Sequence, residues 1–315
     1  MEYRRLGRSE LEVSAVILGC WIHGKSGWHD VEDEESVAAI REAIELGVNT
    51  LDTAEWYGGG HSEQVIARAV EGMHRAELII ATKVAPTHLQ RAQLFEACER
   101  SLKNLNTDYI DLYQIHWPNE KVPIEETMGA LSELREQGKI RVIGVSNFDE
   151  RQMAGVLEHG RIESLQPPYS LFWRHTEKRI LPFCREHEIG VIAYSPLAQG
   201  LLTGKFGPKL DLPEDDIRHK NELFKGETYP VALQAVEEVR PIAEKHGRTL
   251  GQVAINWVLC QPGLTAAIVG ARNPQQAREN VGGAGWRLDE GDLAKLDALG
   301  NRVMAKLDES PVMWR

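Results

Sequence analysis

Short apolar runs recur along this chain, and each ends in a polar or small residue. They fall at 16–20, 49–53, 78–83, 109–116, 140–146, 164–166, 191–195 and 266–270. Between them the apolar positions change period. Val37, Ile40 and Ile44 share one helical face, as do Leu94, Cys98 and Leu102, and then Ile124, Met128, Leu131 and Leu134. Gly47 and Gly138 follow two of these stretches as C-terminal caps. Runs apolar on both faces, alternating with helices, predict a parallel sheet. Eight such units predict an α/β fold closed into a (β/α)8 TIM barrel, with reactive residues gathered at the strand C-termini. Three parts lie outside the repeat. Segments 3–6 and 11–14 flank Gly7-Arg8-Ser9-Glu10 and read as an N-terminal β-hairpin closing one end. The charged stretch 205–230, interrupted by Pro208 and Pro213, is expected as a long loop over the active-site mouth. Leu293, Leu296 and Leu299 mark an extra C-terminal helix over 292–299, followed by an irregular tail containing Trp314. With no interdomain linker, residues 1–315 are expected to form a single domain.

Size and composition agree with that reading. The chain has 315 residues, 42% of them hydrophobic, and a barrel of this kind takes about 250. No run of apolar residues is long enough to span a bilayer. The opening Met1-Glu2-Tyr3-Arg4-Arg5 lacks an apolar signal region, so a cytoplasmic location is expected. Cys20, Cys98, Cys184 and Cys260 are scattered without a Cys-x-x-Cys pair, which argues against structural zinc or a disulfide framework. A net charge of -11 argues against nucleic-acid and anionic-membrane partners. A phosphate-bearing cofactor would need a local basic or backbone-amide site.

The candidate chemistry sits on three successive strand ends. Asp52 closes one run, Tyr57 stands five positions further on, Lys83 closes the next run, and His116 closes the third. A phenol is a weak proton donor; a neighbouring ammonium favours its phenolate and lowers its pKa; a buried ammonium needs a carboxylate; an imidazole can orient a substrate oxygen. Singly, each residue has an ordinary structural explanation: a cap, a packed tyrosine, a solvated lysine, a core histidine. In this order they point to proton and hydride transfer at a carbonyl. Gly58-Gly59-Gly60 lacks the Lys-Ser/Thr of a phosphate-binding loop. No Gly-x-Gly-x-x-Gly opens a βαβ unit, so a Rossmann site has no support. No His-x-His pair suggests a metal-dependent hydrolase, and no metal is expected.

The segments Leu51-Asp52-Thr53-Ala54-Glu55-Trp56-Tyr57-Gly58, Thr82-Lys83, Asp111-Leu112-Tyr113-Gln114-Ile115-His116-Trp117-Pro118 and Gly144-Val145-Ser146-Asn147-Phe148 resemble the signatures of the aldo-keto reductases. The likeness runs essentially end to end; segment 198–205 resembles the loop of the longer-looped, largely bacterial branch, and potassium-channel beta subunits are also similar. It implies NAD(P)H-dependent reduction of small to medium aldehydes or ketones, with Tyr57 as general acid, Lys83 and Asp52 tuning it, and His116 orienting the carbonyl. It places Ser146, Asn147 and Gln166 on the nicotinamide carboxamide and Tyr194 on the nicotinamide ring. Ser195, Pro196 and Leu197 follow Tyr194 as further cofactor contacts, and Gln199, Gly200, Leu202 and Lys205 fall in a segment, 198–205, that resembles the loop around the pyrophosphate. Gly270, Arg272, Gln276 and Asn280 correspond to the adenosine end. Many members carry Lys where this chain has Gly270 and Arg where it has Gln276. Arg272, with its planar guanidinium, compensates, so NADPH is expected ahead of NADH. Arg278 is read as solvated surface charge. Trp21, Trp56 and Trp117 are expected to wall the substrate pocket. The alternative implied by the resemblance is an NADP(H)-binding, redox-sensing channel subunit with little turnover. A homo-oligomer is compatible with either.

Overall fold

The computed structural model describes residues 1–25 and 31–308; the expected tail with Trp314 lies outside them. Eight parallel strands close into a barrel: β3 (Val16–Gly19), β4 (Thr50–Asp52), β5 (Ile79–Val84), β6 (Ile110–Ile115), β7 (Ile140–Ser146), β8 (Ser164–Gln166), β9 (Gly190–Tyr194) and β10 (Leu264–Gly270). Closure is made by β10, which pairs with β3 on one side and β9 on the other. Each expected run is a strand, with ends displaced by a residue or two.

Strand side chains alternate in direction, and this alternation sorts the barrel into two cores. Ile17, Ile79, Ala81, Leu112, Val142, Ile192 and Ala266 fill the interior. Leu18, Leu51, Ile80, Tyr113, Ile143, Leu165 and Val191 point outward into the layer beneath the helices. The hairpin strands β1 (Tyr3–Arg5) and β2 (Glu12–Ser14) are antiparallel. Leu6, Leu11 and Val13 from this hairpin join the interior cluster. Arg4 bonds the carbonyls of Leu264 and Thr265 at the start of β10, and Asn49 just before β4 bonds Ser14. The hairpin therefore plugs the end where the strands begin.

The surrounding helices are α1 (Asp33–Glu45), α2 (His61–Ala69), α3 (Arg91–Leu105), α4 (Ile124–Glu136), α5 (Glu150–Leu157), α6 (Ile180–Glu186), α7 (Thr228–Lys245), α8 (Leu250–Cys260), α9 (Pro274–Val281) and α10 (Glu290–Met304). Local signals explain their ends. Asp33, Glu34 and Glu35 face the positive end of α1. Asp149 and Thr249 form capping boxes with Gln152 and Gln252. Gly47 and Gly138 take the left-handed conformation after α1 and α4, with φ of 90° and 74°.

Two helices stand outside the repeat and pack on each other, α7 and α10. The C-terminal helix is longer than the 292–299 expected. The other, α7, was not anticipated. It begins inside the stretch taken for loop, with Pro230 in its first turn, where a missing N–H costs nothing. Ahead of it, segment 205–227 is shaped by short 3-10 turns at Ile217–Lys220 and Glu222–Phe224. No described helix is long and apolar enough to cross a membrane.

Candidate active site

Toward the strand ends the inward-facing positions turn polar. On β5, Ile79 and Ala81 are followed two residues later by Lys83; on β6, Leu112 is followed by Gln114. Asp52 ends β4, and Gln166 ends β8. Lys83 is completely buried, and its Nζ donates to Asp52 Oδ1 at 2.7 Å, to the Thr53 carbonyl at 2.7 Å and to Tyr57 Oη at 3.3 Å. The other carboxylate oxygen, Asp52 Oδ2, accepts from Gln166 Nε2 at 2.8 Å and Gln114 Nε2 at 3.3 Å. A buried ion pair persists only when its remaining hydrogen-bonding capacity is met, and this one is ringed by donors and acceptors.

Burial alone would lower the Lys83 pKa. The Asp52 charge, the Tyr57 oxygen and the hydrogen bonds to both outweigh it and hold the ammonium above its ordinary value. For Tyr57 the balance differs from expectation. Burial pushes the phenol above its ordinary range, with Lys83 only opposing that rise. The ammonium therefore restrains the phenol pKa without lowering it below normal, and Tyr57 keeps its proton at neutral pH. Burial, helped by the Lys83 charge, holds His116 well below the usual imidazole range, so its ring is neutral. That ring lies edge-on to Tyr57 at 5.7 Å and 5.5 Å from Trp56. Trp21 stacks on Tyr57 at 5.9 Å.

These groups open into a cleft of about 630 Å³, within the range of small-ligand sites. Asp52, Tyr57, His116, Trp21, Trp56 and Trp117 line it together with Ser146, Asn147, Gln166, Tyr194, Ser195, Pro196, Leu197, Gln199, Gly200, Lys205, Gly270, Arg272, Gln276 and Asn280. Two expected site residues are placed elsewhere. Lys83 lies beneath the cleft, bonded to Asp52 and Tyr57, and the Leu202 side chain packs in the outer core. Arg278 points to α1, where it pairs with Glu42 at 2.7 Å.

The wall opposite Tyr57 is tightly tied. Tyr194 Oη donates to Asn147 Oδ1 at 2.8 Å, Asn147 Nδ2 donates to the His116 carbonyl at 3.0 Å, and Ser146 Oγ donates to the Gln166 carbonyl at 2.8 Å. Asn147, Ser195, Ala198 and Gln199 all have positive φ, between 48° and 63°. Such strain clusters where surrounding structure fixes a site.

Two observations show that the far part of the cleft suits a phosphate-bearing ligand. Gln199 Nε2 is buried without an acceptor among the described residues, in a side chain that lines the cleft. Burial and the charges of Arg218 and Arg272 hold Lys205 below its ordinary pKa, and Arg272 is likewise depressed by burial and Arg218; Asp216, already paired with Arg218, offsets only part of this. Cations that disfavour one another's charge are relieved by an anion. Gln276 Oε1 accepts from Arg272 N at 2.9 Å, and Asn280 Nδ2 donates to the Gly270 carbonyl at 3.0 Å, so both amides also shape this end.

Sequence reasoning did not single out Gln114, Glu279, Ile22 or Ile217. The last three line the cleft. Gln114 carried a signal, a lone amide within an apolar strand at inward parity; Ile217, in an irregular segment, carried none. Among the described residues one group could ligate a metal, His246, Asp289 and Asp292. The Lys245 ammonium already bonds both of its carboxylates, at 2.6 and 2.7 Å.

The sequence profile of the Aldo/keto reductase family matches residues 15–301. Aldo-keto reductase YhdN of Bacillus subtilis is 37% identical over 95% of this chain and 93% of its own length. The NADH-specific methylglyoxal reductase of Escherichia coli is 32% identical over 91% and 94%. A putative voltage-gated potassium channel subunit beta of Schizosaccharomyces pombe is 33% identical over 98% and 92%. Among solved structures, the glycerol dehydrogenase AKR11B4 from Gluconobacter oxydans superposes with a TM-score of 0.87 at 34% identity, covering 98% of this chain and 97% of that one. An aldo-keto reductase from Klebsiella pneumoniae in complex with NADPH gives 0.80 at 30%, covering 100% and 98%.

Proposed function

This chain belongs to the aldo/keto reductase family, and on that footing we propose that it reduces aldehydes or ketones to alcohols, reversibly, with NADPH as preferred cofactor and NADH as a usable one. When bound, the reduced nicotinamide supplies the hydride. The chain supplies the proton and the geometry. Tyr57 Oη accepts from Lys83 Nζ, which leaves its own O–H to donate to a carbonyl oxygen. As that proton leaves, negative charge grows on the phenol oxygen beside an ammonium that Asp52 keeps protonated. The neutral His116 imidazole orients the carbonyl. The observation that carries this reading is the unbroken chain Asp52–Lys83–Tyr57 ending in the cleft.

Ser146, Asn147 and Gln166 are the residues for the nicotinamide carboxamide, and Tyr194 is the one for its ring. Ser195, Pro196 and Leu197 continue the cofactor wall, and Gln199, Gly200 and Lys205 serve the pyrophosphate, while Leu202 packs beneath that segment. Gly270, Arg272, Gln276 and Asn280 serve the adenosine end. The paired cations Lys205 and Arg272 favour the extra phosphate of NADPH, although the Escherichia coli relative is named as NADH-specific. The apolar walls of Trp21, Trp56 and Trp117 suit small to medium carbonyl compounds, and segment 205–227, through Lys205 and Ile217, borders the mouth of a single-domain barrel. Four free cysteines suit a reducing, cytoplasmic setting. The redox-sensing channel subunit is less supported, because the proton-donor set opens into a cleft with room for a carbonyl substrate beside it.

The test is oxidation of NADPH and of NADH by the purified protein over a panel of aldehydes and ketones, with Tyr57→Phe alongside. Turnover should fall about 10²- to 10⁴-fold in the variant, the usual scale of acid catalysis, while NADPH still binds. Wild-type rates in the variant would sink the assignment.

A further inference from the structure

Gln114 sits on β6 directly opposite Lys83 on β5, is completely buried, and does not itself line the cleft. Its amide nevertheless joins two parts of the site. Nε2 donates to Asp52 Oδ2 at 3.3 Å, and Oε1 accepts from Gln166 Nε2 at 3.3 Å. The barrel makes room for it. A Cβ on Gly144 of β7 would lie 3.1 Å from Gln114 Cγ and 2.2 Å from Ser164 Oγ, so a side chain is absent where this amide crosses the interior.

The direction of each amide follows from chemistry. An ionised carboxylate only accepts hydrogen bonds, so both glutamines must turn their NH₂ groups to Asp52 Oδ2, which settles an orientation that shape alone leaves open. The two carboxylate oxygens are thereby divided: Oδ1 serves Lys83, and Oδ2 serves the glutamines. Gln166, which lines the cleft, is left with its carbonyl oxygen as the free end of its amide.

We propose that Gln114 is a positioning residue that couples the proton-donor chain to the cofactor wall: it holds Asp52 with Oδ1 toward Lys83 and locks the Gln166 amide with its oxygen free for the cleft. This rests on the reductase reading. The titratable groups that interact with Asp52 are Lys83 on β5, Tyr57 after β4 and Cys20 after β3; β8 contributes the Gln166 amide. Burial, with the Asp52 charge adding to it, keeps the Cys20 thiol neutral.

Two variants test it, with Gln114→Leu in reserve. Gln114→Met keeps length and removes both polar atoms, and Gln114→Glu keeps shape but donates only while protonated. Three readouts apply: NADPH dissociation constant from tryptophan fluorescence without carbonyl substrate, kcat and KM against pH, and chemical denaturation. For Gln114→Met we expect NADPH binding weakened severalfold, kcat lowered about tenfold with its alkaline limb displaced, and little change in carbonyl KM; a hydrogen bond to a charged group is of that order. For Gln114→Glu, NADPH affinity should stay near wild type in acid and fall as the introduced carboxyl ionises. A Gln114→Met protein that is merely less stable, with wild-type NADPH affinity and pH limb, overturns the proposal. So does a Gln114→Leu protein that binds NADPH as wild type does, which decides the matter where the methionine variant fails to fold; for Gln114→Glu, wild-type affinity overturns the proposal only at a pH where a difference titration shows the introduced carboxyl ionised. Absence of turnover in the wild type would sink the reductase reading instead, and the NADPH-binding arm would still judge Gln114.

Discussion

Replacing Lys83 with methionine reaches the deepest polar group of the site. Lys83 Nζ serves three oxygens, at 2.7 Å on Asp52, 2.7 Å on the Thr53 carbonyl and 3.3 Å on Tyr57. Its side chain is 0% exposed and that of Asp52 4%. Methionine fills nearly the same space, so little cavity is created; what changes is that a buried carboxylate loses its counter-ion. Removing one member of such a pair costs about 3–5 kcal/mol, a large share of the about 5–15 kcal/mol that holds a domain together. Changing Asp52→Asn as well removes the stranded charge while keeping an acceptor for the glutamine amides, and should restore most of the loss. Urea unfolding of the wild type, both single variants and the double variant measures this, provided the slopes agree. A lysine whose folded pKa is raised contributes its stability in full below the unfolded value of about 10.4 and loses it as pH rises past the folded value. The penalty should therefore be level from pH 6 to about 9 and shrink only in stronger alkali. Turnover should fall about 10²- to 10⁴-fold. A Lys83→Met protein within about 1 kcal/mol of wild type, well below the expected cost, would refute the reasoning. A double variant as unstable as the sum of its parts would do the same.

Arg272→Ala should weaken NADPH about tenfold, or roughly 1.4 kcal/mol, and NADH much less; titrations showing equal losses would remove Arg272 from phosphate recognition. Burial lowers His23 to about 4, so the native state resists its protonation. Stability should be intact above about pH 6.5, the unfolded value, and decline as pH falls toward 4, by about 3 kcal/mol at full effect for this one ring. His23→Asn, which can keep the bond now made by Nδ1 to Ser36, should flatten that acid slope in denaturation curves; an unaltered slope would contradict the assignment.

The barrel was legible because its strands carry apolar runs closed by polar residues, and Asp52, Lys83 and His116 stand where a period of two turns their side chains inward or to the mouth. Tyr57, in the turn after β4, follows no such period and stood out only by its place beside Asp52. The balance of charge was not legible: the phenol pKa depends on how completely Tyr57 is buried, and the sequence carries no measure of that. Helix α7 was hidden by prolines at 230 and 241 and by a charged approach that reads as loop. Gln114 showed in the sequence only as an amide at inward parity, and it gains meaning when Gly144 and Asp52 are known to face it. The Lys205–Arg218–Arg272 grouping joins an irregular loop to β10 and α9, and no local pattern links them.

The plug formed by the N-terminal hairpin has a practical side. Met1 is exposed and lies beside β1, at the barrel end remote from the cleft. A bead, electrode or fused carrier attached through the N-terminus would leave every copy with its opening turned outward. Linkers there can be kept short, because nothing that enters or leaves the cleft has to pass the anchoring support.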